Sequence, residues 1–334
     1  MKKDSRTFAV VFLLMCVVTV PLFFDTYRIM AFNAIPRDDY ARFLLRLTSQ
    51  AGSWPLSPTG YRLLSVLPAL PFYWLLPVYR FSLLSNVDPA YLRATQALAF
   101  LSFVSTALAA AVAFQFVKNK FAGTMTQASF SALLTTLLIG YTGRTGIEPL
   151  AVATIFALLY VLELPLVFSL LVIPSAFVNE KIPMFFLFLA VSRSALVPRF
   201  FKSHRWQIAS VAAALGLYVT ALITIRLPGN EYQTAVADWI PHSTSMFIES
   251  FSSFKAFQLN VFPALIVTTP LIAFSLYSRR PTQLVAASDF LVPLGLLWVA
   301  LAGTVGVTVG RVVALAIPLT VLSLSSLMLQ HDEP

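Results

Sequence analysis

The residues best suited to chemistry in this chain are acids and arginines gathered in a few short polar stretches. Asp38 and Asp39 stand in the sequence PRDDYARF, flanked by Arg37 and Arg42. An ionised carboxylate beside a reacting hydroxyl can act as a general base. Arginine presents a planar fork that holds two phosphate oxygens at once. Acids and arginines in one loop suit transfer chemistry on an anionic substrate, and they equally suit a solvated patch of local ion pairs. Neighbours in a helix point about 100° apart, so only one of the two aspartates would face a site.

Other stretches carry the same residue types. In SAFVNEKIP, Asn179, Glu180 and Lys181 lie between two apolar runs. Ionisable groups in so short a connection are costly to keep near a bilayer and are suspects for function. The plainer reading is a polar turn that caps two helices, with Glu180 pairing Lys181. In GYTGRTGIEPL, Arg144 and Glu148 supply a cation and a second acid or metal ligand, although an acid near a helix start also suits the helix dipole. Arg62 opens a proline-broken segment, and Arg311 follows Gly310 at the start of the last apolar run. Either could reach a bound phosphate or snorkel to lipid phosphates. His242 is read as a loop residue, and Glu163 and Asp289 as structural acids at inner helix ends.

The elements that must position these residues are membrane helices. Of 334 residues 58% are hydrophobic and 11% charged, with a mean hydropathy of +0.81; a soluble domain would carry about a quarter charged residues. Apolar runs of spanning length recur from end to end. The expected fold class is all-α: a polytopic transmembrane bundle of about ten spans in a single domain, residues 1–334. The alternating ten-residue segments of a membrane barrel are missing. The net charge of +9 reports topology rather than nucleic-acid binding. Cys16 is the only cysteine, so neither an intrachain disulfide nor a thiolate metal site follows. No G-x-S-x-G, H-E-x-x-H or Walker lysine motif occurs.

Candidate spans are 7–24, 92–117, 122–141, 148–163, 164–177, 182–198, 206–226, 256–278, 286–306 and 312–330. The first is expected to be retained rather than cleaved, since no A-x-A-like site follows it. The fourth and fifth form either a hairpin turning at Glu163-Leu164-Pro165 or one long helix kinked at Pro165. With Lys2, Lys3 and Arg6 inside, the hairpin puts Lys118–Lys120, Arg199–Arg205 and Arg279–Arg280 on the cytoplasmic side. A single helix would put the last two groups outside, against the positive-inside rule. The hairpin is the preferred reading. Both termini are then cytoplasmic, and the long connections 25–91 and 227–254 lie outside. In the first of these, Pro68, Pro71 and Pro77 break an apolar run. The expectation there is one or two short interfacial helices anchored by Tyr61, Tyr73, Trp74 and Tyr79, with a broken span as the alternative.

The order of these parts resembles the GT-C superfamily of membrane glycosyltransferases. Asp38-Asp39 follows a first span, GYRLLSVLPALPFYW comes next, and YLRATQALAFLSFVSTALAAAVAFQFVKNK is the second span ending in basic residues. SAFVNEKIPMFFLFLA is similar to a polar step between middle spans of some bacterial GT-C-like proteins, and GRVVALAIPLTVL carries a late arginine that recurs in them. The resemblance covers most of the chain as architecture. It implies transfer of a sugar from a polyprenyl-phosphate-linked donor to an acceptor at the outer face of the cytoplasmic membrane. On this resemblance Asp38 or Asp39 is the catalytic base, and Arg62, Arg144, Glu148, Asn179, Glu180, Lys181 and Arg311 are the substrate-binding candidates. Arg62 and Arg311 are expected to grip the carrier phosphate from opposite sides. A divalent metal is compatible with this chemistry but no motif indicates one, and a membrane-protein partner could join the enzyme. Two other classes fit: a transporter or flippase of an anionic lipid-linked substrate, and an O-antigen-type polysaccharide polymerase. Such polymerases usually carry their largest outer loop late, whereas here it follows the first span.

Overall fold

The computed structural model describes residues 2–32, 39–48, 62–79, 87–142, 148–196, 198–225, 245, 248–249, 251–277, 286–303 and 312–331. Every regular element among them is helical. In chain order the main helices are α1 (Lys2–Phe32), α2 (Asp39–Leu47), α3 (Leu63–Val66), α4 (Leu70–Leu75), α5 (Pro89–Lys120), α6 (Met125–Thr142) and α7 (Glu148–Tyr160). Then come α8 (Pro165–Ser175), α9 (Lys181–Leu196), α10 (Pro198–Ser203), α11 (Arg205–Thr224), α12 (Phe262–Tyr277), α13 (Leu291–Gly303) and α14 (Ile317–His331). Three helices are long and apolar enough to cross a membrane: Ser5–Arg28 within α1, α5, and α11. Helices α7, α8, α12 and α13 are apolar but shorter.

Helix α5 is the axis of the molecule. Asp88 caps it by accepting from the amide of Ala90 at 2.9 Å, and Pro89 fills the first turn, where no amide hydrogen is needed. A run of small residues, Ala107, Ala109, Ala110, Ala111 and Ala113, is fully buried. Such residues let neighbouring helix backbones approach closely, and α1, α6 and α7 all pack on α5. Helix α1 instead turns Leu13 and Val17 outward, 63% and 70% exposed. An apolar face of that extent suits hydrocarbon rather than water.

Contacts between helix ends show how the chain runs. At one end Lys120 bonds Glu163 at 2.6 Å, Asn119 donates to the Tyr160 hydroxyl, and Gln207 donates to the Leu162 carbonyl at 2.9 Å. The end of α5, the 161–164 turn and the start of α11 therefore lie together, at what may be called the lysine end. At the opposite end the amide of Leu64 donates to the Phe177 carbonyl at 3.1 Å. Helix α8 connects these two places, so it is the return arm of a hairpin with α7. The break has a local cause. Leu164 precedes Pro165 and takes φ −106°, ψ 87°, outside the helical region that a following proline disfavours. Glu163 pairs with Lys120 beside this turn, and Asp289 is buried and paired with Arg193.

The proline-broken segment is a stack of short turns. Pro68 opens a 3₁₀ turn at residues 67–69, Pro71 lies in the first turn of α4, and Leu76 before Pro77 is extended at φ −84°, ψ 135°. Because the prolines remove ladder hydrogen bonds, side chains from α1 and α5 supply others. Gln96 donates to the Pro77 carbonyl at 2.6 Å and accepts from the Tyr79 amide at 2.9 Å, while Tyr27 donates to the Tyr79 carbonyl. Trp74 and Tyr79 are exposed, as interfacial anchors would be. Tyr73 is not: it is buried, with the Arg93 guanidinium 5.7 Å from its ring centre. Tyr61 lies outside the described residues.

Where α9 meets α13, Gly295 lies against Phe188. A Cβ at this glycine would come within 2.7–2.8 Å of three ring carbons. Gly295→Ala is expected to destabilise the fold by about 1–3 kcal/mol through overpacking, read as an earlier loss of monodisperse protein on heating in detergent. Adding Phe188→Leu should restore most of the loss. An unchanged midpoint for Gly295→Ala would contradict the contact.

Candidate functional site

The end opposite the lysines is built on α2. Tyr40, Phe43, Leu44 and Leu47 fall on one stripe at helical spacing. Phe43 and Leu44 are fully buried in a small core shared with the start of α5 and with α4. That packing presses α2 against α5. Arg62, the residue just before α3, is held over the same place by the Ser65 hydroxyl, which donates to its carbonyl at 2.6 Å, and by the Leu64 amide bonded to the Phe177 carbonyl.

A buried ionic cluster fills that place. The Arg62 fork grips the Glu180 carboxylate with both arms, Nε to Oε2 at 2.8 Å and Nη2 to Oε1 at 2.5 Å. Its remaining terminal nitrogen, Nη1, donates to the Tyr40 hydroxyl at 2.6 Å. Lys181 Nζ donates to Glu180 Oε1 at 2.7 Å, and the Tyr218 hydroxyl of α11 stands 3.5 Å from Oε2. Side-chain exposure is 11% for Arg62, 5% for Glu180 and 12% for Lys181. Glu148 opens α7 beside them, close enough to act electrostatically on both Tyr40 and Lys181. Asn179 supplies local order at the start of α9: its Oδ1 accepts from the Lys181 amide at 3.1 Å and its carbonyl from the Ile182 amide at 2.9 Å. Burial works against the charge on Glu180, but Arg62 and Lys181 outweigh it and hold the carboxyl well below the usual carboxylate range. Burial pushes the Tyr40 phenol up against the pull of Arg62, with Glu148 and Glu180 pushing the same way as burial.

Compared with known proteins, the chain matches no family model, no curated protein and no solved structure. The site is therefore read from its own geometry.

Five segments distant in sequence meet here: α2, the residue before α3, the start of α7, the 179–181 turn and α11. Of the sequence candidates, Arg62, Glu148, Asn179, Glu180 and Lys181 come together, and Asp39 begins the helix that contributes Tyr40. Asp38, Arg144 and Arg311 lie outside the described residues, and so does His242. The fork of Arg62, expected to take a phosphate, holds a carboxylate in the same bidentate geometry. Asn179 caps a helix. Sequence reasoning missed Tyr40 and Tyr218. A signal for Tyr218 was present, since a tyrosine inside a long apolar run needs a partner for its hydroxyl. Among the described residues no group of three or more His, Cys, Asp or Glu is placed to hold a metal ion.

Proposed function

We propose that the chain is a membrane glycosyltransferase of the GT-C kind, taking a sugar from a polyprenyl-phosphate-linked donor to an acceptor hydroxyl at the outer face of the cytoplasmic membrane. One observation carries this reading. Acids and bases from separate parts of the chain gather at a single buried cluster, at the end away from Lys118 and Lys120, beside the helix that Asp39 begins. The positive-inside rule assigns the lysine end to the cytoplasm and so turns the cluster outward.

In the reaction the acceptor oxygen attacks the anomeric carbon, the bond from that carbon to the phosphate oxygen breaks, and the acceptor proton passes to a carboxylate. Asp39 or Asp38 takes the role of base. Lys181 is the cation assigned to the departing phosphate, because an ammonium has three donors and Glu180 engages one of them. Arg62, whose fork is committed to Glu180, is a positioning residue: it ties the broken segment to the 179–181 turn and so holds Lys181 and α2 in register.

The test is an experimental structure of the full chain with polyprenyl phosphate bound. The phosphate is expected beside Lys181, between the start of α2 and the start of α7. A bound carrier with no phosphate beside Lys181, wherever else its phosphate lies, would overturn the assignment. A second reading, a transporter or flippase of an anionic lipid-linked substrate, is favoured by one feature: Arg62 and Glu180 neutralise each other, as a gating pair would. Movement of carrier lipid across liposomes by purified protein, without sugar transfer from any donor, would select that reading.

A further inference from the structure

At the lysine end, a second buried ion pair supports an exposed surface of unusual make-up. Arg193, in the last turn of α9, pairs with Asp289 through two bonds, Nε to Oδ1 at 2.9 Å and Nη2 to Oδ2 at 2.8 Å, with both side chains almost fully buried. Asp289 is held in turn by the Ala286 amide at 3.0 Å. The Arg193 guanidinium lies 5.7 Å from the ring centre of Phe200 in α10, and Phe200 stacks on His204 with ring centres 4.2 Å apart. One face of the α10–α11 corner is thereby locked onto the bundle.

The other face points outward, and among the described residues its large exposed side chains are aromatic or cationic. Phe201 and Trp206 are 54% and 64% exposed, and Lys202 and Arg205 are exposed between them. Arg205 lies 5.7 Å from the ring centre of its neighbour Trp206. Among the described residues neither Lys202 nor Arg205 forms an ion pair.

We propose that the α10–α11 corner is a binding site for the phosphodiester headgroup of an acidic membrane lipid. Aromatic side chains settle at the boundary between hydrocarbon and headgroups, and cations beside them sit at phosphate depth. Here the aromatics bracket the cations in the sequence FKSHRW, so a lipid whose upper acyl chains meet Phe201 and Trp206 places its phosphate against Lys202 and Arg205. Two positive charges at one corner select a lipid with net negative charge over a zwitterionic one. The Arg193–Asp289 pair makes this a fixed surface rather than a loose loop. The site is separate from the cluster at the opposite end and does not depend on the function proposed for that cluster.

The experiment uses the purified full chain in mixed micelles holding equal amounts of phosphatidylglycerol and phosphatidylcholine, with retained lipids counted by native mass spectrometry. The wild type is expected to retain phosphatidylglycerol preferentially. Lys202→Gln with Arg205→Gln should reduce the preference by about fivefold for each charge removed. Phe201→Ser with Trp206→Ser should release lipid although both cations remain. Lys118→Gln, at the same end but off the corner, should keep the wild-type preference. Equal retention of both lipids by the wild type would overturn the proposal. So would a loss for Lys118→Gln as large as that for the corner variant, which would mean a diffuse field rather than a site.

Discussion

Glu180→Ala is expected to lower the stability of the folded chain by about 3–5 kcal/mol, the cost of leaving a buried charge without its partner. The effect should be large because one carboxylate serves two cations. Arg62 bonds it with both arms of its fork and Lys181 with its ammonium, and all three side chains are mostly shielded from solvent. Glu180→Gln keeps the shape but not the charge, so it should fall between wild type and alanine. Arg62→Ala combined with Glu180→Ala should cost less than the sum of the two, since the second change removes a group the first has already orphaned. Heat-induced unfolding in detergent reads these differences. Limited proteolysis adds a local readout, because loss of the pair frees the segment after Arg62 and should expose it to cleavage. The pH dependence follows in sign. Glu180 titrates below its ordinary value of 4.5 in the folded chain, so its contribution is complete above that value and is lost as pH falls toward the folded value. The gap between wild type and Glu180→Ala should stay level from about pH 8 to about pH 5 and narrow below. Equal melting of the two proteins across that range would show that the cluster does not hold this end together.

Much of this arrangement is legible in the sequence, and what is not has physical causes. Prolines at 68, 71 and 77 announce a segment that cannot be one helix, and it is found as short turns. The reversal at Glu163-Leu164-Pro165 is legible because a proline and its neighbour resist the helical region, and because basic residues must share a side. The pairing of Glu180 with Lys181 is adjacent and local. The bond from Arg62 to Glu180 joins residues 118 apart, and no local rule reports it. The same holds for Arg193 and Asp289, 96 apart, where each looks from its own surroundings like a charge at a helix end. Tyr73 reads as an anchor by type, yet helix direction, which composition does not encode, turns it into the core. The role of Tyr40 is equally hidden, because the Arg62 fork that reaches its hydroxyl lies 22 residues away.

The largest expected effect of all is on chemistry. Asp39→Asn or Asp38→Asn should reduce sugar transfer by about 10²–10⁴-fold, the range a positioned general base contributes. Asparagine matches aspartate in size but cannot take up the acceptor proton. Phe43 and Leu44 hold α2 in its core, and heat-induced unfolding of each variant in detergent separates a loss of chemistry from a loss of fold. Neighbouring helical positions diverge by about 100°, so one of the two variants should carry nearly all of the loss. The decisive measurement is transfer of a labelled sugar from polyprenyl-phosphate donors, in membranes holding wild type, Asp38→Asn or Asp39→Asn at matched expression. The wild type is expected to transfer and one variant to fall at least about a hundredfold, as the general-base role requires. Full transfer by both variants would contradict it.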